Sequence, residues 1–198
     1  MPIIEYGEKE LAWLARRDKK LGAFIERTGF LERELEPDLF AALVSSIATQ
    51  QISNAAAETV MKRFEQKFRL TPSALADATV EEIQSVGISF RKAAYIKGFC
   101  DAVNQGLDLE ALRVLPDEEV AARLLPVKGI GPWTVEMFLI FSLGRPDVVS
   151  FGDFAIRKGM MNLYGLRELD RTTFARRRKR YAPYGTVASL YLWEAAVM

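Results

Sequence analysis

Residues 125–134, Leu-Pro-Val-Lys-Gly-Ile-Gly-Pro-Trp-Thr, set two glycines two positions apart around an apolar residue, and after an apolar run a lone carboxylate follows at Asp153. Such spacing describes a tight hairpin between two helices, because neither glycine carries a Cβ to obstruct the reversal. Successive backbone N–H groups in a turn of this kind can converge on one side. The helix that begins at Pro132 or Trp133 adds its positive end to the same place, so a phosphate oxygen would be a natural guest. Taken alone, a Gly-x-Gly step is more often a plain closure between packed helices. Asp153 also has two readings. A carboxylate beside a carbon that gains positive charge stabilises that charge and can orient or deprotonate water. Placed before Phe154-Ala155-Ile156-Arg157, the same residue suits a helix N-cap.

Absences narrow the chemistry further. The 198 residues contain no histidine, which removes Ser-His-Asp and Cys-His catalysis and every histidine metal site. Cys100 is the only cysteine, so disulfides, cysteine-rich zinc sites and a four-cysteine iron–sulfur cluster are excluded as well. Carboxylates, lysines, hydroxyls and backbone groups remain. A net charge of +1 neither favours nor disfavours nucleic acid, since a local patch or a row of amides can bind phosphate on a near-neutral protein. No run reaches the roughly 18 apolar residues of a membrane span. The start, Met1-Pro2-Ile3-Ile4-Glu5-Tyr6, shows no secretory signal, so a cytoplasmic protein is expected, nucleoid-associated if prokaryotic.

The elements that must position these residues read as helices throughout. Residues 8–27 form one helical pattern closed at Gly29, and 38–68 form two helices separated by residues 48–54, with Ser53 or Asn54 as cap. Thr71-Pro72 starts another helix, a short one covers Val80 to Val86, and residues 87–99 make a second hairpin-like start. Leu115-Pro116 with its acidic first turn opens the helix that leads to the hairpin. Beyond Asp153 come a helix to about Tyr164, a turn at Gly165, a cationic segment at Arg171 and Arg176–Arg180, and a last helix from Thr186 that is apolar nearly all round. A basic run of this sort is usually a solvated helix face. Period-two alternation is missing, so the expected class is all-α with essentially no sheet.

Hairpin, apolar helix and following aspartate together resemble the helix-hairpin-helix DNA glycosylase superfamily. Ile47-Ala48-Thr49-Gln50-Gln51-Ile52-Ser53, Gly87-Ile88-Ser89 with Lys92-Ala93 and Tyr95-Ile96, and Pro183 with Val187-Ala188 and Tyr191-Leu192-Trp193 are similar to its 3-methyladenine DNA glycosylase II, or alkylbase, branch. The resemblance covers roughly residues 35–198 and implies a single glycosylase unit of two helical subdomains flanking a central cleft. Its expected boundaries are about 38–124 for one subdomain and 1–37 plus 125–198, with the hairpin, for the other. It implies Asp153 as the catalytic residue and a base pocket lined by Trp133, Met137 and Trp193. Met137 departs from the aromatic that relatives can carry there. Gly129, Gly131, Thr134 and Gln51 would contact DNA, Gln51 filling the space of a flipped nucleotide with Gln50 as competitor. Bifunctional relatives hold a lysine where Trp133 stands, and an indole cannot form a Schiff base, so a monofunctional, water-using enzyme without lyase activity is implied.

No cofactor is required by the resemblance, although a structural Na+ or K+ on the backbone carbonyls of Leu125, Val127 and Ile130 is expected from it. The implied partner is double-stranded DNA carrying a damaged base, bound by a monomer with no membrane involvement. N-alkylated purines such as 3-methyladenine and 7-methylguanine are the implied substrates of this base-excision repair. Another lesion, such as hypoxanthine or 8-oxoguanine, and a non-catalytic helix-hairpin-helix module remain as alternatives.

Overall fold

Asp, Ser and Thr side chains at positions 18, 38, 53, 71, 79, 89, 153 and 170 each cap the start of a helix. The computed structural model describes residues 2–198 and contains twelve α-helices and no strand among the described residues. An isolated antiparallel bridge between Ile3 and Glu34 is the one β-type pairing among them. The chain divides into two compact units, one from residues 36–138 and one from 1–35 with 139–198.

The middle unit holds α3 (Leu39–Ala48), α4 (Asn54–Lys67), α5 (Pro72–Asp77), α6 (Val80–Gln84), α7 (Phe90–Asn104), a 3-10 turn (Glu110–Val114) and α8 (Asp117–Leu124), and α9 (Pro132–Phe141) begins in it. Side-chain caps start most of these helices. Asp38, Ser53, Thr71, Thr79 and Ser89 each accept a backbone N–H three residues on. Each such cap is worth about 1 kcal/mol to its helix. Helix α7 is the axis of this unit and packs against α3, α5 and α6. It buries Ala93, Ile96, Phe99 and Cys100, with the Phe99 ring stacked on Phe40 at 5.2 Å.

The other unit holds α1 (Glu8–Arg17), α2 (Lys19–Thr28), α10 (Phe154–Tyr164), α11 (Arg171–Tyr181) and α12 (Gly185–Ala195). The single helix expected over residues 8–27 is broken at Asp18. Its carboxylate turns back to accept the N–H groups of Lys20 and Leu21, both at 3.1 Å, and so starts a new helix. Helix α12 is buried nearly all round, as its apolar composition requires, and α10 crosses it at Gly159. A Cβ there would stand 1.8 Å from the Leu192 carbonyl oxygen, so only glycine permits this crossing. Leu14, Leu21, Phe24, Ile156, Met160 and Tyr191 fill the space around it.

The boundary differs from the expected one. The hairpin belongs with residues 36–138 and not with the C-terminal segment, and the division falls after Phe138. Side-chain packing explains the shift: Gly129 sits against the Tyr95 ring of α7, and Gln50, after α3, donates to the Gly129 carbonyl.

Candidate functional site

The hairpin is closed by an Ile130 N–H bond to the Val127 carbonyl at 3.1 Å, and Val135 N–H then reaches the Gly131 carbonyl at 3.0 Å to begin α9. Pro132 occupies the first helical position, where a missing N–H costs nothing. The two glycines serve different ends. Gly129 has φ +93°, and a Cβ on it would lie 2.7 Å from the Tyr95 ring, so both the turn and the packing demand glycine. At Gly131 φ is not positive and a Cβ would meet nothing within 4 Å. Nothing inside the fold requires glycine there.

Gln50 and Gln51 part company in the structure. The Gln50 amide donates to the Gly129 carbonyl at 2.8 Å and lies 3.5 Å from the Thr134 hydroxyl. Gln51 is exposed and stands at φ 57°, a conformation that costs a non-glycine residue about 1 kcal/mol or more. With Gln50 spent on fastening the hairpin, Gln51 is the glutamine presented outward. Thr134 is buried, and its hydroxyl accepts from the Gln50 amide. A cavity of about 740 Å³ is bordered by Gln50, Gln51, Tyr95, Gly129, Gly131 and Trp133.

Sequence reasoning missed the residue that holds this loop. Lys92 Nζ donates to the Ala48 carbonyl at 3.0 Å and to the Gln50 carbonyl at 2.5 Å, tying the end of α3 to α7. Burial, with Arg91 beside it, holds its ammonium below the ordinary lysine range. A lysine three residues after a helix cap gives no sign of such a task.

Asp153 is both an N-cap and a buried carboxylate, 8% exposed. Its Oδ1 accepts the Ile156 N–H at 2.8 Å and the Trp193 indole N–H at 3.2 Å, while its own backbone N–H donates to Ser150 Oγ at 3.1 Å. Trp193 in turn stacks on Phe141, ring centroids 5.4 Å apart at 30°. The indole therefore orients the carboxylate. Phe141, inside an apolar run, carried no sequence signal of its part in this.

The expected residues thus fall into two groups. Gln51, Gly129, Gly131, Trp133, Thr134 and Met137 belong to the unit of residues 36–138, and Asp153 and Trp193 to the other. Trp133 is 41% exposed, more open than a core tryptophan, and Met137, one turn on, is half-buried. At the hairpin, Leu125 is exposed and Ile130 buried.

A family model for HhH-GPD superfamily base excision DNA repair proteins matches residues 44–183, which include the Gln50-Gln51 loop, the hairpin and Asp153. The chain belongs to this superfamily. Trp193 lies beyond the matched stretch, so its bond to Asp153 is information from the structure alone. Among relatives, DNA-3-methyladenine glycosylase 1 of Schizosaccharomyces pombe is 34% identical over 165 residues, covering 79% of this chain and 72% of that protein. The crystal structure of a Bacillus halodurans DNA-3-methyladenine glycosidase superposes with a TM-score of 0.88 at 38% identity, covering 99% of this chain and 93% of that one. A Schizosaccharomyces pombe 3-methyladenine DNA glycosylase in complex with abasic DNA gives a TM-score of 0.85 at 31% identity, covering 96% and 97%. This HhH-GPD chain therefore shares its helical architecture with DNA glycosylases over nearly its whole length.

Proposed function

We propose that this protein is a monofunctional DNA glycosylase that excises N-alkylated purines of the 3-methyladenine and 7-methylguanine type, leaving an abasic site in duplex DNA. The observation that carries the reading is the Asp153 carboxylate, buried and fixed by two donors on one oxygen. As the glycosidic bond breaks, its electron pair leaves with the base and neutralises the cationic purine. Positive charge builds on the anomeric carbon, and a pre-oriented carboxylate stabilises it without reorganising. A water oxygen then bonds to that carbon, and its proton is lost towards Asp153 or solvent. An N-alkylated purine already carries the charge that makes it a good leaving group, so no separate general acid is needed.

Trp133 and Trp193 fit the same substrate class, because an indole face attracts a cationic, electron-poor base and stacks on any flipped one. With an indole at position 133, no amine is present there to attack the sugar, which supports hydrolysis without strand cleavage. The hairpin would hold backbone phosphate without reading sequence, and Gln51 would fill the space the flipped base vacates. The carbonyls of Leu125, Val127 and Ile130 are neutral oxygen donors, and Val127 retains a lone pair beyond its bond to Ile130. They suit Na+ or K+, which would add positive potential towards a phosphate. A monomer satisfies every part of this scheme.

Duplexes carrying one defined lesion each test it. Alkali-labile abasic sites are expected at 3-methyladenine or 7-methylguanine. A cut at hypoxanthine or 8-oxoguanine instead would reassign the substrate, and no cut at any lesion would favour a DNA-binding module. A covalent complex trapped by borohydride would overturn the water mechanism.

A further inference from the structure

Two cationic runs, residues 16–20 (Arg-Arg-Asp-Lys-Lys) and 176–180 (Arg-Arg-Arg-Lys-Arg), are distant in sequence and converge within the unit of residues 1–35 and 139–198. Their meeting point is a buried polar knot. Asp18, 3% exposed, accepts the Tyr164 hydroxyl at 2.8 Å and Arg180 at 3.3 Å, and the Tyr164 and Tyr181 hydroxyls lie 2.8 Å apart. The Arg177 guanidinium stands 4.0 Å over the Tyr164 ring, and Lys20 Nζ donates to the Tyr164 carbonyl at 3.3 Å. Lys20, Arg177 and Arg180 are thereby pinned around one tyrosine, and their runs with them.

Nine of the 27 cationic side chains belong to these two runs, in a chain whose net charge is only +1. Few acids answer them. Asp18 is buried and already used, Asp147 pairs with Arg178 at 3.5 Å, and Asp170 caps the start of α11, where Thr173 first and Arg176 among the other groups hold its carboxyl below the usual range. Arg16, Arg17, Lys19, Arg176 and Lys179 are exposed and make no ion pair among the described residues. Such crowding of like charge is unfavourable until a polyanion covers it.

The chemistry of the patch selects the polyanion. Neither run nor any residue of α11 contributes a large exposed hydrophobic side chain, so the apolar anchors of a protein interface or a membrane surface are missing. Guanidinium groups match phosphate oxygens in paired geometry. Duplex DNA offers about one charge per 1.7 Å of axis, a density that suits a spread array of cations.

We propose that this patch is a second duplex-DNA surface, in the unit that does not contain the hairpin, which grips backbone phosphates of undamaged DNA without reading sequence. It rests on the reading of the chain as a DNA enzyme. Its effect is to keep the protein on undamaged duplex between lesions.

The test is the Lys19→Gln, Arg176→Gln, Lys179→Gln triple variant, titrated with undamaged duplex by fluorescence anisotropy between about 50 and 200 mM salt. Binding is expected to weaken about tenfold at the lower salt, and the dependence of log K on log salt to lose roughly 0.9 for each phosphate contact removed. An Arg176→Lys control, which keeps the charge, should lose far less affinity than the triple variant, and thermal melting should show the triple variant folded. Unchanged affinity and slope would overturn the inference. So would loss of polyglutamate binding with duplex binding intact, which would point to an acidic protein. The two readings fail separately: patch-dependent binding without base release at any lesion defeats the proposed chemistry alone, and base release with patch-independent binding defeats this inference alone.

Discussion

Asp153 carries two duties that a single substitution can separate. Asparagine caps a helix about as well as aspartate but bears no charge. Asp153→Asn should therefore keep the melting temperature and DNA affinity while lowering single-turnover base release by about a thousandfold, the scale of a lost charge-stabilising or base function. Residual turnover near wild type would remove Asp153 from the chemistry. Trp193 gives a finer test. Trp193→Phe keeps an aromatic ring beside Phe141 and removes the N–H that reaches Asp153 at 3.2 Å. A hydrogen bond to a charged group contributes about 1.5–3 kcal/mol, so kcat should fall roughly tenfold or more with the dissociation constant for lesion DNA little changed. An equal loss in both would make Trp193 a binding residue only. At this scale the sequence was legible where a residue sits in a local pattern, as Asp153 does before its helix. The Trp193 bond was not, because an indole donor within an apolar helix, forty residues from its acceptor, leaves no periodic trace.

The hairpin poses the element-scale question of what its two glycines are for. Their spacing alone made them equivalent; the surrounding structure does not. Gly129→Ala must force a Cβ into the Tyr95 ring at a backbone angle that L residues avoid, and it should destabilise the protein by about 1–2 kcal/mol or more, read by denaturant unfolding. Gly131→Ala places its methyl in open space and should unfold like wild type. Its affinity for duplex DNA should nevertheless drop several-fold, because the methyl stands where a phosphate would approach. If Gly131→Ala bound DNA as wild type does, the hairpin would be a structural turn and no anchor. Helix number and type were largely readable, since apolar periodicity and caps are local. The break at Asp18 was not, because the residues on either side continue the apolar spacing and only the cap's fold-back interrupts the helix.

The largest departure from expectation lies in how the chain is partitioned. The hairpin joins the unit built on α7 through Tyr95, Gln50 and Lys92, contacts between residues far apart in sequence that no local pattern encodes. Cys100 reports on the integrity of that unit. It is fully buried in α7, and burial first, with Asp101 nearby, raises its thiol from 9.0 to about 11. The native thiol should stay silent to Ellman's reagent at pH 8, reacting only as fast as the unit opens. Raising the pH adds a second, signed expectation. Between the ordinary value of 9.0 and about 11 the thiol ionises in the unfolded chain and remains neutral in the folded one, so stability should decline across that window. Cys100→Ala should remove this part of the decline, measured as unfolding free energy against pH. Rapid labelling of the native protein at pH 8 would mean that the α7 core opens without global unfolding, and the hairpin fastened to it would then be mounted on a mobile support.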